Sequence, residues 1–129
     1  MRLTIALLPL LLTACDPSPQ RLEMRDQSRL AAELRDRQPG EPLECIDATP
    51  SQSLDIAGRD TLVYRTARVT YVNRLDAPCP GLRPFNRLVI EPAISGRYCR
   101  NDRVRAIEAG SNLPGPICLL GRFTPYSRR

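Results

Sequence analysis

Four guanidinium groups fall within nine residues of this chain, at Arg97, Arg100, Arg103 and Arg105, with Cys99 among them. Guanidinium forks bind phosphate and carboxylate bidentately, so the run is a candidate anion-binding site wherever a fixed backbone makes the forks converge. Its competitor is a solvated basic face softened by Asp102 and Glu108. Every one of the 19 cationic residues is Arg, which an arginine-favouring codon bias explains as readily as selection for anions.

Other chemistries are limited by what is missing. The chain holds no His, Lys or Trp, so Ser-His-Asp, Cys-His and Ser-Lys arrangements cannot be assembled within it. Asp60, Glu91, Asp102 and Glu108 are the acids that a carboxylate-dependent hydrolase would draw on. Isolated acids paired with neighbouring Arg are the commoner arrangement, and the expectation is a non-enzyme. No P-loop or G-x-G-x-x-G phosphate cradle occurs, and no cofactor is expected.

Five cysteines divide into one and four. Arg2, the apolar run of residues 3–12 and then Leu12-Thr13-Ala14-Cys15 resemble a bacterial lipoprotein signal peptide, in which the cysteine is acylated before cleavage. That run is about half of the roughly 20 residues a spanning helix needs, which argues against a transmembrane anchor. Residues 1–14 are thus expected to be the signal and Cys15 the lipidated N-terminus. Asp16 resembles the residue that retains some lipoproteins in the inner membrane. Cys45, Cys79, Cys99 and Cys118 are then an even set in an oxidising compartment, expected to form two disulfides. Without a C-x-x-C pair or any His, no metal site is expected. A nested pairing, Cys79 with Cys99 inside Cys45 with Cys118, is expected because the first two flank a strand region and the others bracket the domain. Such loops would contribute about 3 and about 4 kcal/mol.

The elements that must position these groups divide at a Pro-Gly break. Residues 15–43 carry five Arg against six acids and form a tether whose middle, residues 20–37, is rich in helix formers. Leu30 and Leu34 make only a narrow apolar stripe, so a solvated spacer is expected, closed by Pro39-Gly40-Glu41-Pro42. Residues 44–129 carry thirteen Arg against eight acids and read as β structure. Residues 62–66 and 68–73 form a hairpin turning at Thr66-Ala67, with Leu62 opposite Tyr71 and Tyr64 opposite Val69 on one face. Further strands are expected at Arg87–Glu91, 103–108 and 117–123, separated by Pro80-Gly81, Ser95-Gly96 and Pro114-Gly115. The expected class is mainly β, a small antiparallel barrel or sandwich with two disulfides, preceded by a helical tether.

Glu44-Cys45-Ile46, the hairpin residues Tyr64-Arg65 and Tyr71-x-Asn73, Cys79-Pro80-Gly81-Leu82, Tyr98-Cys99-x-x-Asp102 and Cys118-x-Leu120-Gly121-x-Phe123-x-Pro125 occur in this order. The order resembles a family of small exported proteins of proteobacteria that has no established activity. The resemblance covers about residues 44–125 and implies domain limits rather than a mechanism. The expectation is a lipid-anchored, periplasm-facing, non-catalytic binding or envelope-accessory module. Its expected partners are the membrane, through the lipid, and an anionic envelope component or acidic protein. Nucleic acid is not expected in that compartment despite the +5 formal charge. An inhibitor of a secreted enzyme is the alternative, although a basic domain complements a basic lysozyme-type target poorly.

Overall fold

The computed structural model describes residues 18–129, so Cys15 and the signal sequence lie outside the described residues. Helix α1 (Pro19–Leu34) begins where its sequence supplies a start: Ser18 caps it, accepting the Arg21 amide through its hydroxyl, and Pro19 occupies a first-turn position needing no N–H. It ends short of the expected residue 37. The chain turns there to lay β1 (Gln38–Pro39) on the last strand, and the Arg37 guanidinium donates to the Arg68 and Tyr126 carbonyls.

The remaining strands are β2 (Cys45–Asp47), β3 (Leu54–Gly58), β4 (Thr61–Arg65), β5 (Val69–Arg74), β6 (Arg87–Glu91), β7 (Arg97–Cys99), β8 (Arg103–Ile107), β9 (Cys118–Leu119) and β10 (Phe123–Ser127). All pairings are antiparallel. One sheet runs β1-β10-β5-β4-β3, a second pairs β2 with β7, and a third runs β6-β8-β9. The molecule is mainly β and sandwich-like, and the sheets do not close into a barrel.

The large sheet is buried on both faces, and this explains α1. On the inner face Leu54, Leu62, Tyr64 and Phe123 pack against Ile46, Val104 and Ala106 of the smaller sheets. On the outer face Ala57, Val63 and Val72 pack against buried Leu30 of α1, with Leu34 and Tyr126 at the margin. Residues 61–64 are therefore all buried, the signature of a strand covered on both sides rather than of an alternating one. Residues 18–34 are thus a packed layer rather than the solvated spacer expected. Glu33 reinforces the layer by accepting from Arg65 Nε and from the Thr70 hydroxyl.

The hairpin forms with a different register. Leu62 stands opposite Asn73 and Tyr64 opposite Tyr71, two residues from the expected pairing. Thr66 moves the turn onto Ala67-Arg68: its amide donates to the Val69 carbonyl, and its hydroxyl bonds both the amide and the carbonyl of Val69. A slip of two preserves the faces, so Leu62, Tyr64 and Tyr71 still meet the core. The slip also brings Asn73, fully buried, to Gly121, where its amide group accepts from the Gly121 N–H and donates to its carbonyl. The expected strand over residues 117–123 is broken at that clamp. Cys118–Leu119 joins the three-stranded sheet and Phe123–Ser127 the large one. A Cβ at position 121 would collide with the Arg74 carbonyl, so only Gly fits there.

The two disulfides form, but not in the nested pairing. Cys45 joins Cys99, and Cys79 joins Cys118. The cause is a strand pair too short to read from sequence. β2 and β7, three residues each, place Cys45 directly opposite Cys99 with Cα atoms 4.0 Å apart. Cys79, in the loop after β5, then meets Cys118 on β9. The bridges interleave along the chain: the first staples β2 to β7 within the two-stranded sheet, and the second ties the three-stranded sheet to the loop that leaves β5.

Candidate functional site

The four arginines picked out by spacing do not converge on one ligand position. Arg97 Nε lies 3.4 Å from Asp47 Oδ1 and Arg100 Nη2 lies 3.5 Å from Asp76 Oδ2. Arg103 Nε and Arg105 Nη2 share Glu91, at 3.7 and 3.1 Å. Each charge in this corner thus has a carboxylate neighbour supplied by the fold. The rigid part of the corner is Asp102, buried beside Cys99. Its two oxygens accept the Ala93 amide at 3.0 Å and the Cys99 amide at 2.7 Å, so the carboxylate shapes the turn and faces no ligand.

The other acids are equally dispersed. Asp60 accepts the Thr61 hydroxyl, Glu91 is held by the two arginines, and Glu108 is exposed at the end of β8. None of the three clefts described here is lined by more than one of these four. Among the described residues no group of three His, Cys, Asp or Glu side chains stands together as a metal site.

The main concavity lies elsewhere, at the seam between α1 and the open edges of two sheets. A cleft of about 550 Å³ runs between the helix, the edge strand β3 and the edge strand β6. Leu54 and Ile56 from β3, Leu88 and Ile90 from β6, and the Tyr98 ring give it an apolar floor. Around this floor stand Arg25 and Arg29 from the helix and Arg87 from the start of β6. Among the described residues none of these three guanidiniums has a carboxylate within ion-pair distance. Two acids line the cleft. Asp55 is occupied by Arg65 at 2.7 Å, which leaves Asp26 as the one unpaired carboxylate against three unpaired cations.

In the sequence Arg25 and Arg29 fall within the expected spacer, outside every candidate site. Their spacing with Leu22 and Asp26 over two turns puts all four on one side of α1. The signal that was present is this periodicity. The signal that was absent is the position of β3 and β6 beside it.

Comparison of the chain with protein families, curated proteins and solved structures finds no match.

The chemistry of the cleft is therefore read from its own groups. Tyr98 stands edge-on to Tyr64, with ring centroids 5.9 Å apart. Burial pushes the Tyr98 phenol above its ordinary value, and charge on Tyr64 adds to the shift. The phenol is thus neutral at physiological pH, and the floor stays uncharged beneath the arginine rim. An apolar floor under unpaired guanidiniums suits a ligand with an apolar body and an anionic group.

Proposed function

We propose that this chain is a lipid-anchored, periplasm-facing, non-catalytic binding module whose ligand is an anionic amphiphile or acidic partner of the cell envelope. The anchor reading rests on the Leu12-Thr13-Ala14-Cys15 motif. Two disulfides agree with an oxidising compartment, and among the described residues no helix is long and apolar enough to cross a membrane. The observation that carries the binding reading is the cleft, where Arg25, Arg29 and Arg87 surround an apolar floor without carboxylate partners among the described residues. Uncompensated guanidiniums beside a low-dielectric surface attract an anion more strongly than paired ones, whose own carboxylates compete for the fork.

Octyl phosphate, kept below its micelle concentration, is a simple probe with one tail and one anionic head. Titrated into the protein and followed by amide chemical shifts, it is expected to perturb residues 22–29, 54–56 and 87–90. Binding should weaken with added salt, which screens exposed charges over a Debye length of about 8 Å at physiological ionic strength. Octyl glucoside, with the same tail and a neutral head, should bind more weakly. Shifts confined to residues 97–105, or equal affinity for both probes, would contradict the proposal.

A further inference from the structure

If Cys15 carries the anchor, the distance from lipid to fold is short. Ser18, which caps α1, follows three residues later, and an extended chain spans at most ~3.6 Å per residue, so about 11 Å separates the two at most. Whatever surrounds the N-terminal end of α1 is therefore held against the bilayer surface. Facing that end across a second depression of about 500 Å³ is the loop after β5, with Arg83 and Pro84 opposite Ser18 and Gln20. This depression shares Asp26, Ile56 and Pro84 with the main cleft, so the two form one continuous groove.

The next loop residue, Phe85, is 81% exposed and holds φ at +71°. A bulky side chain in that region is strained, and here the strained backbone presents an aromatic ring to solvent. Leu113, 75% exposed, lines a third depression together with Arg83. Among the described residues Arg83 and Arg87, which flank Phe85, have no carboxylate within ion-pair distance. Exposed apolar side chains between free guanidiniums match the chemistry of a membrane interface, where rings enter the headgroup boundary and cations meet lipid phosphates.

We infer that the end of the molecule bearing Phe85, Arg83 and Arg87 docks on an anionic phospholipid surface, so that the groove opens onto the bilayer. This deepens the proposed function and rests on its anchor at Cys15. Three residues of tether set the distance, and the unpaired charge sets the lipid class.

Because the chain has no Trp, Phe85→Trp introduces a single reporter. Ile94→Trp is its control, an exposed position in the turn past the far end of β6, whose five residues span about 14 Å. Each mature lipoprotein is placed in vesicles of phosphatidylglycerol with phosphatidylcholine, or of phosphatidylcholine alone, with bromine near the top of the acyl chains. Intact mass of the same sample reads acylation, and thermal unfolding confirms the fold. In anionic vesicles the indole at position 85 should shift to the blue and lose about half its emission, as expected for burial at the headgroup boundary. The indole at position 94 should keep the spectrum it has in water. Adding Arg83→Gln and Arg87→Gln should reduce the quenching at position 85. An acylated protein whose position-85 indole stays in water overturns the docking while the anchor stands, and gives the groove to a protein partner. Equal quenching at both positions, or in both lipids, also overturns it. A mature chain without an acyl mass overturns the anchor, and the docking with it.

Discussion

Two arginine-rich regions of this molecule carry comparable formal charge and differ in what surrounds it. In the corner around Cys99 the guanidiniums of Arg97, Arg100, Arg103 and Arg105 meet Asp47, Asp76 and Glu91. In the cleft under α1, Arg25, Arg29 and Arg87 meet no carboxylate among the described residues, and of the two acids there only Asp26 lacks a cation among them. The scaffolds differ as well. The corner is built on a disulfide and on a buried carboxylate that holds two backbone amides. The cleft is built on a seam, one wall of which is a single helix held by Leu30, Leu34 and Glu33. Density of like charge along the chain is thus a poor guide to a binding surface. The position of the counter-ions decides, and these come from elsewhere in the fold.

The largest effect should come from breaking the corner's scaffold. Cys45→Ala with Cys99→Ala opens a loop with a sequence separation of 54 and should cost about 2 to 5 kcal/mol. Urea unfolding of the double variant against the oxidised parent measures it, and a change below about 1 kcal/mol would mean that β2 and β7 hold each other without the bridge. A smaller loss is expected at the seam. Leu30→Ala removes the one buried leucine of α1 and should cost about 2 to 3 kcal/mol, because the margin of the helix can partly settle into the space. It should also weaken octyl phosphate binding, since Arg25 and Arg29 ride on the same helix. Unchanged binding in a destabilised variant would detach the cleft from the helix that forms its wall.

The smallest expected effect is a pH dependence. With the Tyr98 phenol pushed upward in the folded state, the fold holds its proton after the unfolded chain has released it near pH ~10. The stability this contributes is present below that pH and is lost as pH rises through the folded value. The thermal midpoint should therefore fall more steeply above about pH 10 in the parent than in Tyr98→Phe. Identical slopes would show that the floor of the cleft is wetter than its packing implies.

Much of the β architecture was legible, because strand residues repeat locally. β6 matches its expected bounds, and the hairpin keeps its inward face although its register moved by two. The misses come from turn chemistry and from long-range pairing. Thr66 closes a turn by bonding Val69, a choice that propensity alone leaves open. β2 and β7, three residues each, gain their identity from partners distant in the chain, and the disulfide pairing went wrong with them. The helix is visible as a helix, but its narrow stripe implies exposure. The missing information was that Val63 and Val72, alternating with the inward residues, needed a cover of their own. The cleft was illegible for the same reason, since its walls are the helix and two strand edges that only the fold brings together.

The contrast between the regions is tested most directly by two matched double variants in one binding assay. Arg25→Gln with Arg87→Gln removes unpaired charge from the cleft, while Arg103→Gln with Arg105→Gln removes paired charge from the corner. Neither pair is buried, so each should change stability by less than about 1 kcal/mol. Measured by calorimetry with octyl phosphate at low salt, the cleft variant should lose affinity by about fivefold or more, and the corner variant should bind as the parent does. Lost affinity in the corner variant with an unaffected cleft variant would contradict the account.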